Sequence, residues 1–88
     1  MQPFCSYGIS YKVDNGADCT VRVDFYEGDY QNVIENGQPV NRYIPANIFD
    51  HSVLYLEHSP ATDAEIKDRA LAQLNLLKGA RNVIPEQL

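Results

Sequence analysis

Large side chains, mostly apolar, recur at every second position in two stretches near the start of the chain, and this alternation most limits what the chain can fold into. The first stretch consists of Tyr7, Ile9, Tyr11 and Val13. The second consists of Cys19, Val21, Val23 and Phe25. A period of two is typical of strands with one buried face. The sequence therefore predicts a β-hairpin over residues 7–26.

The parity of the two stretches restricts how this hairpin closes. Residues that face each other in an antiparallel pair lie on the same side of the sheet. A two-residue turn at 15–16 would place Val13 opposite Asp18 and mix the apolar and polar faces. We therefore predict a loop of three or five residues, or a bulge at Gly16. The predicted pairs are Val13 with Cys19, Tyr11 with Val21, Ile9 with Val23 and Tyr7 with Phe25.

A second hairpin is predicted over residues 30–44, after a break at 27–29. The dipeptide Asn36-Gly37 favours the positive φ angles of a type I′ turn, and this turn places Val33 opposite Val40. Pro39 then occupies a position without a hydrogen bond to its hairpin partner, which indicates an edge strand. Pro45 and an irregular stretch separate this hairpin from the next element.

Residues 52–57 predict a further strand that is apolar on both faces, and such a strand is buried on both sides or borders a partner. Thr62 and Glu65 have the spacing of a capping box, so a helix should begin at Asp63. It should end at residue 78, before Gly79. Its apolar stripe consists of Ile66, Ala70, Leu74 and Leu77. Residues 81–88 form a tail with an extended piece at 82–84.

The predicted fold class is α+β: an antiparallel sheet of four to five strands with one C-terminal helix, residues 63–78, packed on one face. The chain of 88 residues should form a single domain over 1–88. Twelve acidic against seven basic residues give a net charge of -5, which does not favour direct binding of nucleic acid. The sequence has no secretory signal and no apolar span, so we expect a cytoplasmic protein without membrane contact.

The residues that most often carry chemistry are poorly placed for it. His51 and His58 would lie roughly 23 Å apart on an extended strand, too far to share a metal ion. Cys5 should lie opposite Glu27, roughly 26 Å from Cys19, so these two cysteines should not form a disulfide. The sequence has none of the common catalytic or phosphate-binding motifs. We therefore expect no cofactor and no metal, and the chain is more typical of a non-enzyme.

Tyrosine is abundant in this chain, with six copies and no tryptophan, and it suits protein interfaces. The predicted interaction surface consists of Tyr26, Tyr30 and Tyr43 on the sheet with Leu71 and Leu76 on the flanks of the helix. We expect a non-enzymatic protein-interaction or adaptor domain whose partner is a protein, including a second copy in a homodimer. A narrower version is an acidic inhibitor of a basic nucleic-acid-processing protein.

The alternative is a small-ligand-binding protein or a small enzyme. Its pocket would lie between the sheet and the helix, or between subunits, because 88 residues leave little empty volume within one subunit. The predicted lining of that pocket consists of Tyr7, Tyr11, Tyr55 and His51.

Overall fold

The computed structural model describes residues 3–57 and 62–88, and within them it has one helix and one four-stranded sheet. The elements in chain order are β1 Phe4–Asp14, β2 Cys19–Glu35, β3 Gln38–Leu56, α1 Asp63–Leu77 and β4 Asn82–Gln87. The strand order in the sheet is β3-β2-β1-β4. The predicted α+β class is confirmed.

The sheet is mixed, so the prediction of a purely antiparallel sheet is wrong. β1 pairs antiparallel with β2 but parallel with β4, where Phe4 lies beside Asn82. A parallel pair needs a long crossover connection, and the chain through α1 provides it. The predicted extended piece at 82–84 is the beginning of this strand, which continues through Pro85. As an edge strand, β4 tolerates a proline.

The strand count is four rather than five, because β2 and β3 form one long hairpin. The predicted break at 27–29 lies inside β2, and the predicted strand 52–57 corresponds to the end of β3, which stops one residue earlier at Leu56. Register shifts beside Ala46 and Phe49 absorb the two extra residues of β3. At Gly28 a Cβ atom would overlap the carbonyl oxygen of Ile44. The absence of a side chain at this glycine therefore lets the two strands stay paired where the sequence suggested a break.

The predicted register of the first hairpin is correct at one end and wrong at the other. Tyr7 faces Phe25 and Ile9 faces Val23, as predicted. A register shift between Ile9 and Tyr11 then moves the remaining pairs by one residue. The pairs beyond this shift are Tyr11 with Arg22, Lys12 with Val21, Val13 with Thr20 and Asp14 with Cys19. The bulge therefore lies at Ser10, not at Gly16, and it turns Tyr11 and Val13 to the opposite side of the sheet.

The second turn forms where the sequence predicts it. Val33 faces Val40, and Asn36 and Gly37 have φ angles of 50° and 76°. Both central residues of a type I′ turn need a positive φ, which explains the choice of this dipeptide.

The helix also matches its prediction, one residue short at its end. The Thr62 side chain accepts a hydrogen bond from the Glu65 backbone N–H, as a capping box requires. Gly79 has a φ of 59°, the left-handed conformation that ends many helices. The buried residues of the helix are Ile66, Ala70 and Leu74. No described helix has the length and apolar composition needed to cross a membrane.

The core lies between α1 and one side of the sheet, which we call the helix side. Its sheet residues are Cys5, Tyr7, Cys19, Val21, Val23, Phe25 and Leu56. The end of the helix is fixed by Arg81, which donates to the Glu27 carboxylate at 2.7 and 2.9 Å. The same guanidinium lies 4.3 Å from the centre of the Phe49 ring. These contacts join the crossover to β2 and β3.

Beyond Gly28, β2 pairs only with β3, because β1 begins opposite that residue. The segments 29–35 and 38–44 therefore form a two-stranded ribbon, which we call the arm. The radius of gyration is 14.9 Å, against about 12 Å for a compact chain of this length. The molecule is therefore more elongated than an ordinary domain, and the arm accounts for this.

Candidate interaction surface on the outer sheet face

The side of the sheet that faces away from α1, which we call the outer side, carries a group of exposed apolar residues near the first loop. We call this group the outer patch; it consists of Tyr11, Val13, Val53 and Tyr55. Two cross-strand rows assemble it. The first row is Val13–Thr20–Tyr55 and the second is Tyr11–Arg22–Val53. β1 and β3 thus each contribute two apolar side chains, and β2 contributes polar ones between them.

All four residues of the outer patch are open to solvent. Their exposed fractions are 44% for Tyr11, 47% for Val13, 39% for Val53 and 70% for Tyr55. Exposed aromatic and β-branched side chains stabilise a sheet most when something covers them. Scattered exposed apolar residues are normal, but here one apolar pair on β1 and one on β3 flank Thr20 and Arg22 on the same open sheet face. This arrangement is typical of a contact site for another protein.

The charges beside the outer patch balance each other. The Arg22 guanidinium forms an ion pair of 3.3 Å with the Asp24 carboxylate, two residues along β2. Asp24 is 8% exposed and faces His51 on β3. The chain as a whole carries -5, so the surplus of negative charge lies away from this pair.

The outer side is different at the arm end, where aromatic rings contact each other. The rings of Phe4 and Tyr30 lie 4.8 Å apart, and those of Tyr30 and Tyr43 lie 5.9 Å apart, both edge to face. The Ser6 hydroxyl donates to the Tyr43 hydroxyl at 2.9 Å and is fully buried. We call Phe4, Ser6, Tyr30 and Tyr43 the aromatic cluster. Burial raises the pKa of Tyr43, and these contacts attach the arm to β1.

The structure brings part of the predicted interaction surface together. Tyr26, Tyr30 and Tyr43 all lie on the outer side, and the Tyr26 ring lies beside Gly8. Leu71 and Leu76 belong to the helix on the other side of the sheet. Leu71 packs against the core, whereas Leu76 is 81% exposed. The tyrosines and the leucines therefore do not form one surface.

The residues predicted to line a ligand pocket are also divided between the two sides. Tyr7 is 2% exposed on the helix side, where burial raises its pKa. Tyr11, Tyr55 and His51 lie on the outer side, opposite residues of β2. The prediction that Tyr11 shares the core face with Tyr7 is wrong because of the Ser10 bulge. The residues that the structure describes enclose no pocket.

The two cysteines are free thiols and fully buried, and Cys5 lies opposite Glu27 as predicted. Burial raises the pKa of the Cys5 thiol, so the nucleophilic thiolate is disfavoured. His58 lies outside the described residues. In the described part of the chain, no three side chains of the types that bind metals are grouped together.

Sequence reasoning missed Val13 and Val53 as surface residues. A signal for Val53 was present, since a strand that is apolar on both faces either is buried or borders a partner. No signal in the sequence marked Ser10 as a bulge, and without the bulge Val13 belongs to the core. Comparison of the chain with protein-family models, curated proteins and solved structures found no match.

Proposed function

We propose that this chain is a non-enzymatic protein-interaction domain whose contact surface is the outer patch. The observation that carries the proposal is the exposure of Tyr11, Val13, Val53 and Tyr55 on one sheet face, as two pairs with β2 between them. A bulge places two of them there at the cost of core contacts that the regular register would have made. Bulges re-aim side chains where a surface has a use for them, and a partner that covers these residues provides that use.

Arg22, which lies between the two halves of the outer patch, supports a protein partner. Protein interfaces combine an apolar centre with a polar rim and are enriched in tyrosine and arginine. Tyr11 and Tyr55 supply large contact area, and Arg22 supplies a donor between them. Because Arg22 is already paired with Asp24, a partner does not have to neutralise an isolated charge.

An acidic inhibitor of a basic protein is less well supported. Such an inhibitor needs carboxylates that are available on one surface. Three of the acidic residues of the sheet instead form ion pairs within the chain: Asp24 with Arg22, Glu27 with Arg81, and Glu35 with Arg42. The hydrogen bonds from Arg42 lower the pKa of Glu35. A small-ligand site has no enclosed volume to support it within the described residues.

The proposal is tested by site-specific photo-cross-linking in the cells that make the protein. A benzophenone amino acid replaces Tyr11, Tyr55 or, as the control, Leu76, which is 81% exposed but lies on the helix. We expect the two outer-patch positions to cross-link one and the same protein, and the Leu76 position not to. Cross-links from Leu76 alone, or from none of the three, contradict the proposal.

The cross-linked protein, once identified by mass spectrometry, is then purified and titrated against this chain. Val13→Thr keeps the shape of the side chain but adds a hydroxyl to the outer patch. We expect it to raise the Kd about tenfold, because such a change at the centre of an interface costs on the order of 1.4 kcal/mol. The control Val40→Thr lies on the arm and should leave the Kd within about twofold of the parent.

A further inference from the structure

The outward edge of β3, which is an end strand of the sheet, offers a second contact that deepens the proposed function and rests on it. We propose that residues 51–57 pair antiparallel with the same segment of a second copy, which joins two four-stranded sheets into one of eight strands. The occupant of this edge is thus another molecule of the same chain, and the two outer patches become neighbours.

The two halves of the β3 edge differ in their proline content, and this difference favours pairing at residues 51–57. Pro39 and Pro45 lack an N–H and lie in the arm half, six residues apart on an uninterrupted ladder. In the hairpin register their nitrogen atoms face outward, so they remove two donors from the open edge. Proline is a common device that prevents edge pairing. Residues 46–57 contain no proline, so no residue of this half lacks an N–H, although the His51 N–H donates to the Asp50 carboxylate at 2.8 Å and must leave it to pair with a second copy.

The helix leaves this edge accessible. α1 packs mainly over β1, β2 and β4, away from the β3 edge. A second sheet can therefore continue the first without meeting a helix. About six to eight backbone hydrogen bonds would form across a seven-residue antiparallel pair.

One register makes the segment complementary to itself. With the two-fold axis at Leu54, Val53 faces Tyr55 of the second copy, and His51 faces its Glu57, which directly follows the end of β3 and would extend the strand by one residue. The first contact is an aromatic and β-branched pair, and in the second an imidazole N–H faces a carboxylate; both types stabilise facing strands. Each contact occurs twice because the interface is isologous.

The neighbouring registers lack this complementarity. A shift by one residue places Asp50 opposite Glu57 and joins the outer side of one copy to the helix side of the other. A shift by two residues in one direction places His51 opposite Tyr55 and Glu57 opposite Phe49, and in the other direction it places Glu57 opposite Val53. Only the register centred on Leu54 pairs both the polar and the apolar residues, so the residue pattern itself favours a second copy.

This pairing changes the size of the proposed contact surface. Val53 and Tyr55 of each copy would lie at the seam, with Tyr11 and Val13 about 10 Å further in, two strands away. The two outer patches would then form one surface across the two-fold axis. The joined edge also covers apolar residues that an open edge leaves to water.

The first test measures the mass of the purified chain in solution by sedimentation over about 1 to 500 μM, the range expected for a small interface. We expect a monomer–dimer equilibrium. His51→Glu places like charges opposite each other and should raise the dimer Kd about 3- to 30-fold. His51→Glu combined with Glu57→Lys restores opposite charges and should return the Kd to within about twofold of the parent. The control Asn41→Glu adds the same charge on the arm and should leave the Kd within about twofold.

A second test fixes the register. Val53→Cys and Tyr55→Cys variants are oxidised separately and as an equimolar mixture. The proposed register predicts a disulfide-linked dimer in the mixture and little in either variant alone, since only positions 53 and 55 face each other. Equal cross-linking in a single variant, or none in the mixture, contradicts this register.

The outcomes separate this proposal from the proposed function. A chain that stays monomeric to 500 μM, while Tyr11 and Tyr55 cross-link a different protein in cells, overturns the edge pairing and leaves the interaction surface intact. A dimer that responds to the charge reversal, without any cross-link from Tyr11, supports the edge pairing and overturns the outer patch as a contact surface. A dimer that ignores the charge reversal overturns the edge pairing.

Discussion

Tyrosines lie at both ends of the outer sheet face, but their surroundings differ. At the arm end, Tyr30 and Tyr43 contact Phe4 and Ser6 within the chain. At the loop end, Tyr11 and Tyr55 project into solvent. The difference shows that a tyrosine does not stabilise the fold simply because it is a tyrosine. Its contribution is decided by whether neighbouring side chains cover the ring, and at the loop end the described residues leave 44% of Tyr11 and 70% of Tyr55 exposed.

We expect the largest effect on stability on the helix side, where α1 covers the core. Leu74 is fully buried there. Leu74→Ala should lower the free energy of unfolding by about 2 to 5 kcal/mol, the usual cost of removing a buried leucine. Thermal or urea unfolding measures the loss. Leu76→Ala, at an 81% exposed position of the same helix, is the matched control and should change stability by less than about 0.5 kcal/mol.

The arm end should be sensitive to the backbone at Gly28. In Gly28→Ala the new Cβ would overlap the Ile44 carbonyl oxygen and lie 2.9 Å from the Pro45 Cα, and backbone atoms cannot move aside cheaply. We expect a loss of about 2 to 3 kcal/mol in urea unfolding. Gly8→Ala is the control, because its Cβ meets only a ring atom of Tyr26 at 3.2 Å. A smaller loss for Gly28→Ala than for Gly8→Ala would show that the arm is not held by this close approach.

The hydrogen bond of the aromatic cluster should contribute less. Tyr43→Phe leaves the buried Ser6 hydroxyl without its acceptor and should cost about 1 to 2 kcal/mol. Tyr30→Phe keeps the ring contacts and should cost less than about 0.5 kcal/mol. Burial raises the pKa of Tyr43, so its contribution is present below about pH 10 and is lost as the pH rises through the folded pKa. Tyr43→Phe should therefore reduce the alkaline loss of stability, which unfolding at pH 8 and pH 11 measures.

The loop end should show the smallest effect on folding. Tyr55→Ser removes a ring that is 70% exposed, so the stability of the monomer should change by less than about 0.5 kcal/mol. Unfolding at low protein concentration measures this. A loss above about 1.5 kcal/mol would erase the contrast between the two ends, since it would mean that this tyrosine also has a structural role.

The sequence correctly predicted those parts of the fold that residues adjacent in the sequence determine. The Asn36-Gly37 turn and the capping box at Thr62 are both correct because a few adjacent side chains decide them. The stripe that contains Leu74 is correct because helical spacing alone places it. The parallel pairing of β4 was not predictable in this way, because it depends on distant segments that meet only after the sheet has formed.

The residues on the outer side of the sheet were predicted only in part, for the same reason. Parity places Tyr26, Tyr30 and Tyr43 on the outer side, and they do lie there. Parity fails beyond Ser10, since one unpaired residue reverses every side chain that follows. Tyr11 was assigned to the wrong side because a serine in a strand gives no warning of a bulge.

The parallel pairing of β1 with β4 has a consequence for how the molecule assembles. The β1–β2 and β2–β3 hairpins connect neighbours in sequence, so they can form early and locally. The edge of β1 beside Phe4, in contrast, receives its partner from Asn82, near the other end of the described chain. Closing this contact brings α1 onto the core at the same time. We therefore expect the first strand to be completed last, and its edge to stay exposed to other chains until this late closure.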